Sequence, residues 1–173
     1  DVRFHLEYAD VLVLVGQYDK ALEHTVKGCE LAPTSAPAIY ARGRLLELLG
    51  RRKDAGAVYD TVSKVLDEGK YNTSAEALVA IGQILDRQSV LGGKKASLQA
   101  QNILQNYLQK AYMDVDSKYW PANVAAGMFG ISKHRQDIAQ AEFKLANAIN
   151  PRIPDIYVGV GWVQLENWAF EQC

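Results

Sequence analysis

The sequence repeats itself at an interval of 34 residues, and that interval restricts the fold more than any other feature. Gly16-Gln17-Tyr18-Asp19-Lys20-Ala21 returns as Gly50-Arg51-Arg52-Lys53-Asp54-Ala55, with Gly and Ala each 34 places on. Ala9 and Gly43, Leu12 and Leu46, and Gly127 and Gly161 keep the same spacing, and a further small residue stands at Ala77. Within a unit the first small residue precedes the second by 12 positions, as in Ala9 to Ala21, Gly43 to Ala55 and Gly127 to Ala139. A period of this length marks stacked supersecondary units, none of which buries its apolar face alone.

Two antiparallel helices joined by a tight turn approach closely only where a side chain is small. Ala and Gly at the crossing points therefore predict helix pairs, with Leu12, Leu46, Tyr59 and Phe143 filling the space around them. Gly16 and Gly50 stand where the first helix must end and reverse, a place where positive φ suits Gly. Pro33 and Pro151 follow the second helix and stop it. With 49% apolar and 23% charged residues, the chain has enough apolar surface for a core.

The middle of the chain departs from the period, since Ala77 and Gly127 are 50 residues apart. Thr73 with Glu76 forms a capping-box pattern, and Ala77, Leu78, Ile81, Ile84 and Leu85 follow at helical spacing. A loop is expected over 88–95, around Gly92-Gly93-Lys94-Lys95. The apolar stripe Ala96, Ala100, Ile103, Leu104, Tyr107, Leu108 and Ala111 then predicts a second helix of roughly 18 residues. Either Ala96 or Ala100 could take its close-contact position.

These residues resemble the tetratricopeptide repeat, a helix-turn-helix unit of 34 residues with small, aromatic and terminal Pro positions in this order. The first unit carries Ala9, Leu12, Gly16, Tyr18, Ala21 and Pro33, and the second carries Gly43, Leu46, Gly50, Ala55 and Tyr59, with Asp67 where Pro is usual. Another runs from Trp120 to Pro151 with Gly127, Ala139, Phe143 and Ala146, and His134 replaces its turn Gly. The resemblance implies an all-α chain, a right-handed α-solenoid of stacked antiparallel helix pairs with about four and a half repeats. The units run over 2–35, 36–69, 70–119 (the irregular one), 120–153 and 154–173, the last partial.

The resemblance further implies a concave groove lined by the first helices. Projected onto this chain, its groove positions include Arg3 and Asp10, then Tyr40, Arg44 and Glu47, then Tyr71 and Leu78, then Met128 and Ile131, and finally Trp162. A protein or peptide partner is expected there, and the chain reads as a non-catalytic interaction scaffold. The carboxylate clamp that some members use against acidic chain termini is not assembled, because its places hold Leu6, Asp10, Tyr40 and Arg44. Two alternatives stay open: an accessory segment of a multidomain enzyme, and self-association through the face near Trp162 and Trp168.

No catalytic residue, cofactor or metal ligand is expected. His5, His24 and His134 lack a second ligand at i+3 or i+4. Gly92-Gly93-Lys94 lacks the earlier Gly of a phosphate loop, and Gly159-Val160-Gly161 lacks the third Gly of a dinucleotide motif. Cys29 reads as an inert packed thiol. A formal charge of −1 offers no global attraction to nucleic acid. The aliphatic run Val11 to Val15 falls far short of the roughly 20 residues that span a bilayer, so no membrane insertion is expected. Because the chain opens at Asp1 within a helical pattern and stops at Cys173 after an apolar run, a piece of a longer protein or a processed chain is expected, and the compartment is left open.

Overall fold

A computed structural model describes residues 1–92 and 96–171, which form helices joined by short turns and contain no strand. In chain order the helices are α1 (Val2–Leu14), α2 (Tyr18–Leu31), α3 (Ala36–Leu48), α4 (Arg52–Asp60), α5 (Val62–Glu68), α6 (Ala75–Gly92), α7 (Ala96–Ile103), α8 (Trp120–Ser132), α9 (Gln136–Ile149) and α10 (Pro154–Glu171). They divide between two compact units, Asp1–Thr73 with Gln83–Ala96, and Ser74–Gly82 with Ser97–Cys173.

Three reversals share one hydrogen-bonding scheme. The amides of Gln17, Arg51 and Arg135 each donate at 2.8 Å to the carbonyl five residues earlier, on Leu12, Leu46 and Gly130. The preceding amides, of Gly16, Gly50 and His134, donate to Val13, Glu47 and Ile131. This Schellman arrangement satisfies carbonyls that the helix end leaves unpaired and requires a left-handed residue. Gly16 and Gly50 adopt φ +75, and His134 adopts φ +54 as the non-Gly residue in that region among the described residues.

In the first unit, Ala9, Leu12, Ala21 and Leu45 form a buried cluster with Val13, Leu22 and Leu49 against it. Gly43 of α3 lies flat on the Tyr59 ring of α4, so closely that any Cβ there would overlap the ring. The second helix of this pair is broken at Thr61, whose Oγ1 donates to the Val58 carbonyl at 2.6 Å. A hydroxyl bonding back to its own helix competes with the regular ladder and separates α4 from α5 here. Gly69 then ends α5 in the left-handed conformation, so Asp67 sits inside a helix rather than after it.

In the second unit the core gathers Ala139, Phe143, Ala146, Ile153, Ile156 and Val163. The Phe143 ring is fully buried between Gly127 of α8 and Gly159 of α10. Gly161, which shares the 34-residue spacing with Gly127, has nothing within 4 Å of where its Cβ would be.

The irregular region corrects several expectations. Ser74, and not Thr73, caps α6: its Oγ accepts from the Ala77 amide at 3.2 Å, while Thr73 belongs to a 3-10 turn over Lys70–Thr73. The loop expected from residue 88 is helix as far as Gly92, because no Gly or Pro interrupts the stretch and Gln88 Nε2 holds Asp60 Oδ1 at 2.9 Å. Lys94 and Lys95 lie outside the described residues. After α7 the chain continues as π-helix over Leu104–Gln109 and Ala111–Val115, so the helical stretch is wider-wound than its apolar stripe suggested. Its close contact is Gly82 against Leu108, where an added Cβ would stand 2.7 Å from Leu108 Cδ2. The Ala96 side chain lies outside the described residues, and Ala100 is half-buried.

Candidate interaction site

In the first unit several polar first-helix residues lie within electrostatic reach of one another. Asp10 on α1 faces the charge of Arg44 on α3; desolvation raises the Asp10 carboxyl above its ordinary value and the guanidinium opposes that rise. Tyr40, one turn before Arg44, is half-buried, and burial raises its phenol while Arg44 and Arg87 pull it back. Glu47 is the centre of the set. Its Oε1 accepts from the Tyr59 hydroxyl at 2.8 Å and from Arg87 Nε at 3.0 Å, and its Oε2 accepts from Arg87 Nη2. Burial works to raise this carboxyl, yet the hydrogen bonds from Arg87 and Tyr59 outweigh it and hold Glu47 below its ordinary value. The side chains of Arg87 and Glu47 are 36% and 15% exposed, so the pair is partly desolvated and orders both groups. Arg87, on α6, is a site residue that the 34-residue spacing did not reveal; no motif marks it.

Two further positions projected from the repeat, Arg3 and Tyr71, stand apart from this set. Arg3 is exposed and pairs with Glu7 at 2.8 Å. Tyr71 is half-buried in the 3-10 turn. The structure also brings His5 and His24 together, Nδ1 to Nδ1 at 3.0 Å, with Tyr8 edge-on to His24. One ring donates and the other accepts, and desolvation followed by the His24 charge holds His5 below its ordinary value. No group of three His, Cys, Asp or Glu side chains able to hold a metal ion occurs among the described residues.

In the second unit, Met128 on α8 and Trp162 on α10 are exposed. Ile131 is half-buried against the Phe143 cluster. Leu78 is a correction: it is fully buried, because the consecutive residues Leu78, Val79, Ala80 and Ile81 are all buried and α6 is enclosed on every side there. It belongs to the core and presents nothing to a partner. The Trp168 side chain lies outside the described residues. Sequence reasoning also missed Glu142, whose buried carboxylate accepts from Gln109 Nε2 at 2.9 Å, Tyr112 Oη at 3.0 Å and Asn123 Nδ2 at 3.1 Å. The Tyr112 phenol is raised by burial and by that carboxylate.

Among solved structures, a thermophilic TPR protein from Thermus thermophilus matches 96% of this chain and 82% of its own, at 18% identity and a TM-score of 0.66. The chain has the tetratricopeptide-repeat fold. A second match, to pilF of Pseudomonas aeruginosa, covers 98% of this chain and 70% of that one at 16% identity, with a TM-score of 0.57. No family model matches the sequence, and no curated protein does. No helix among the described residues is long and apolar enough to cross a membrane.

Proposed function

We propose that this tetratricopeptide-repeat chain is a non-catalytic scaffold that holds an extended or helical segment of a partner protein against its first helices. The observation that carries this reading is the set Asp10, Tyr40, Arg44, Glu47 and Arg87 on α1, α3 and α6, braced from behind by Tyr59. Tyr and Arg supply large contact area at interfaces, and groups already ordered lose little freedom when a partner binds. Affinity capture with wild-type chain and with Arg44→Ala tests it. Arg44 is exposed and its removal leaves the core intact, so the variant is expected to keep its melting temperature and lose captured partners. An unchanged set of captured proteins overturns the reading.

A second reading is self-association, favoured by the exposed row Val158, Trp162 and Leu165 on α10. It is tested by the oligomeric state of the purified chain.

A further inference from the structure

A cleft of about 550 Å³ opens within the first unit between α2, α3 and α4. Its walls are largely aliphatic, formed by Leu22 and Val26 of α2, Leu46 of α3 and Val58 of α4. Arg42 of α3 also lines it, and the Arg42 Nε is buried with no hydrogen-bond acceptor among the described residues. At the rim, Arg51 and Asp54 satisfy each other, Nε to Oδ2 at 2.7 Å, so their charges cancel. The net charge of the lining is therefore the guanidinium of Arg42. The neighbouring Cys29 thiol, pushed up by burial while its hydrogen bond with Arg42 pulls the other way, supplies no counter-charge. A guanidinium always carries its charge and has five N–H donors in a fixed plane, so the group that matches it best is a carboxylate.

We propose that this cleft binds an internal partner segment in which one Glu or Asp lies between aliphatic residues. The carboxylate accepts from Arg42, and the aliphatic side chains cover Leu22, Val26 and Val58. The complementarity of one half-buried cation in an apolar surround selects this occupant over a basic or purely apolar one. The site is separate from the first-helix set, because Arg42 and Arg44 are two positions apart on α3 and so point about 200° from each other. It does not depend on the reading of that set.

The test is a titration of the whole ¹⁵N-labelled chain with acetyl-Leu-Glu-Leu-Leu-amide and with its twin carrying Gln in place of Glu. Amide shifts are expected to gather on α2, α3 and α4, with the Glu peptide binding roughly tenfold more tightly than the Gln twin. Arg42→Gln is expected to erase that preference, and Arg44→Gln to leave it intact. Ala57→Phe, at an exposed lining position, is expected to block both peptides without disturbing Arg42. Equal affinity for the twins, an absence of shifts, or shifts centred on Asp10 and Tyr40 each overturns the proposal. Only the last of these speaks for the first-helix set.

Discussion

At the scale of single residues, the small positions are governed by what stands opposite them. Gly127 and Gly161 look equivalent in the sequence, 34 places apart, yet only Gly127 lies against a ring. A Cβ at Gly127 would stand 2.7–2.9 Å from three Phe143 ring atoms, and the ring is pinned on its other side by Gly159. Gly127→Ala is therefore expected to lose about 1–3 kcal/mol in denaturant unfolding. Gly161→Ala, in open space within α10, is expected to gain up to about 1 kcal/mol from helix propensity. His134 gives a third case. Its φ of +54 places a side chain in the conformation that Gly16 and Gly50 adopt without a Cβ. His134→Gly is expected to raise stability by roughly 1 kcal/mol, since the left-handed region costs a non-Gly residue about that much; a lower melting temperature for the variant contradicts this. That exception was legible beforehand, because a Schellman turn needs a left-handed residue wherever the period places it.

Between elements, carboxylates do the bracing. Glu47 joins α3 to α4 through Tyr59 and to α6 through Arg87, and it is held below its ordinary value of 4.5. A carboxyl depressed in the folded chain contributes stability above its unfolded value and loses that contribution as pH falls through the folded one. Acid unfolding is thus expected to steepen below about pH 4.5, and Glu47→Gln to flatten that part of the curve while lowering stability near pH 7. Parallel curves for the two proteins below that pH contradict the assignment. Glu142 braces in the same way, drawing Gln109 and Tyr112 of the π-helical stretches and Asn123 of α8 onto α9. Removing it strands three donors, so Glu142→Ala is expected to lose about 2–4 kcal/mol in denaturant unfolding. Neither brace has a sequence signature, because each partner comes from a different helix and the spacing between them is set by packing. The π-helical winding was hidden for a related reason: an apolar stripe at i, i+4 and i+7 reads as α-helix even where the backbone widens around a contact such as Gly82 with Leu108.

For the molecule as a whole, repetition made the helix pairs legible, because each notch recurs with the same neighbours, as Gly43 with Tyr59 and Gly127 with Phe143. Which first-helix residues face solvent was legible only in part. The projection from the repeat assigned Leu78 to the groove, whereas Leu78, Val79, Ala80 and Ile81 are all buried. What repetition cannot specify is the occupant of a face left uncovered. In a stacked-repeat protein each unit buries its apolar side against a neighbour, so an exposed apolar row is where self-association, the second reading, would form its contact. On α10, Val158, Trp162 and Leu165 form such a row, and Phe4, Tyr8 and Val11 of α1 form another at i, i+4 and i+7. Two different faces meeting between copies make a heterologous contact, which does not close on itself and extends with concentration. Light scattering is therefore expected to give a mass that rises above 19.2 kDa with concentration, and Trp162→Glu to return it to that value. A wild-type chain that stays at the monomer mass at every concentration removes self-association and leaves these rows to a partner of different sequence.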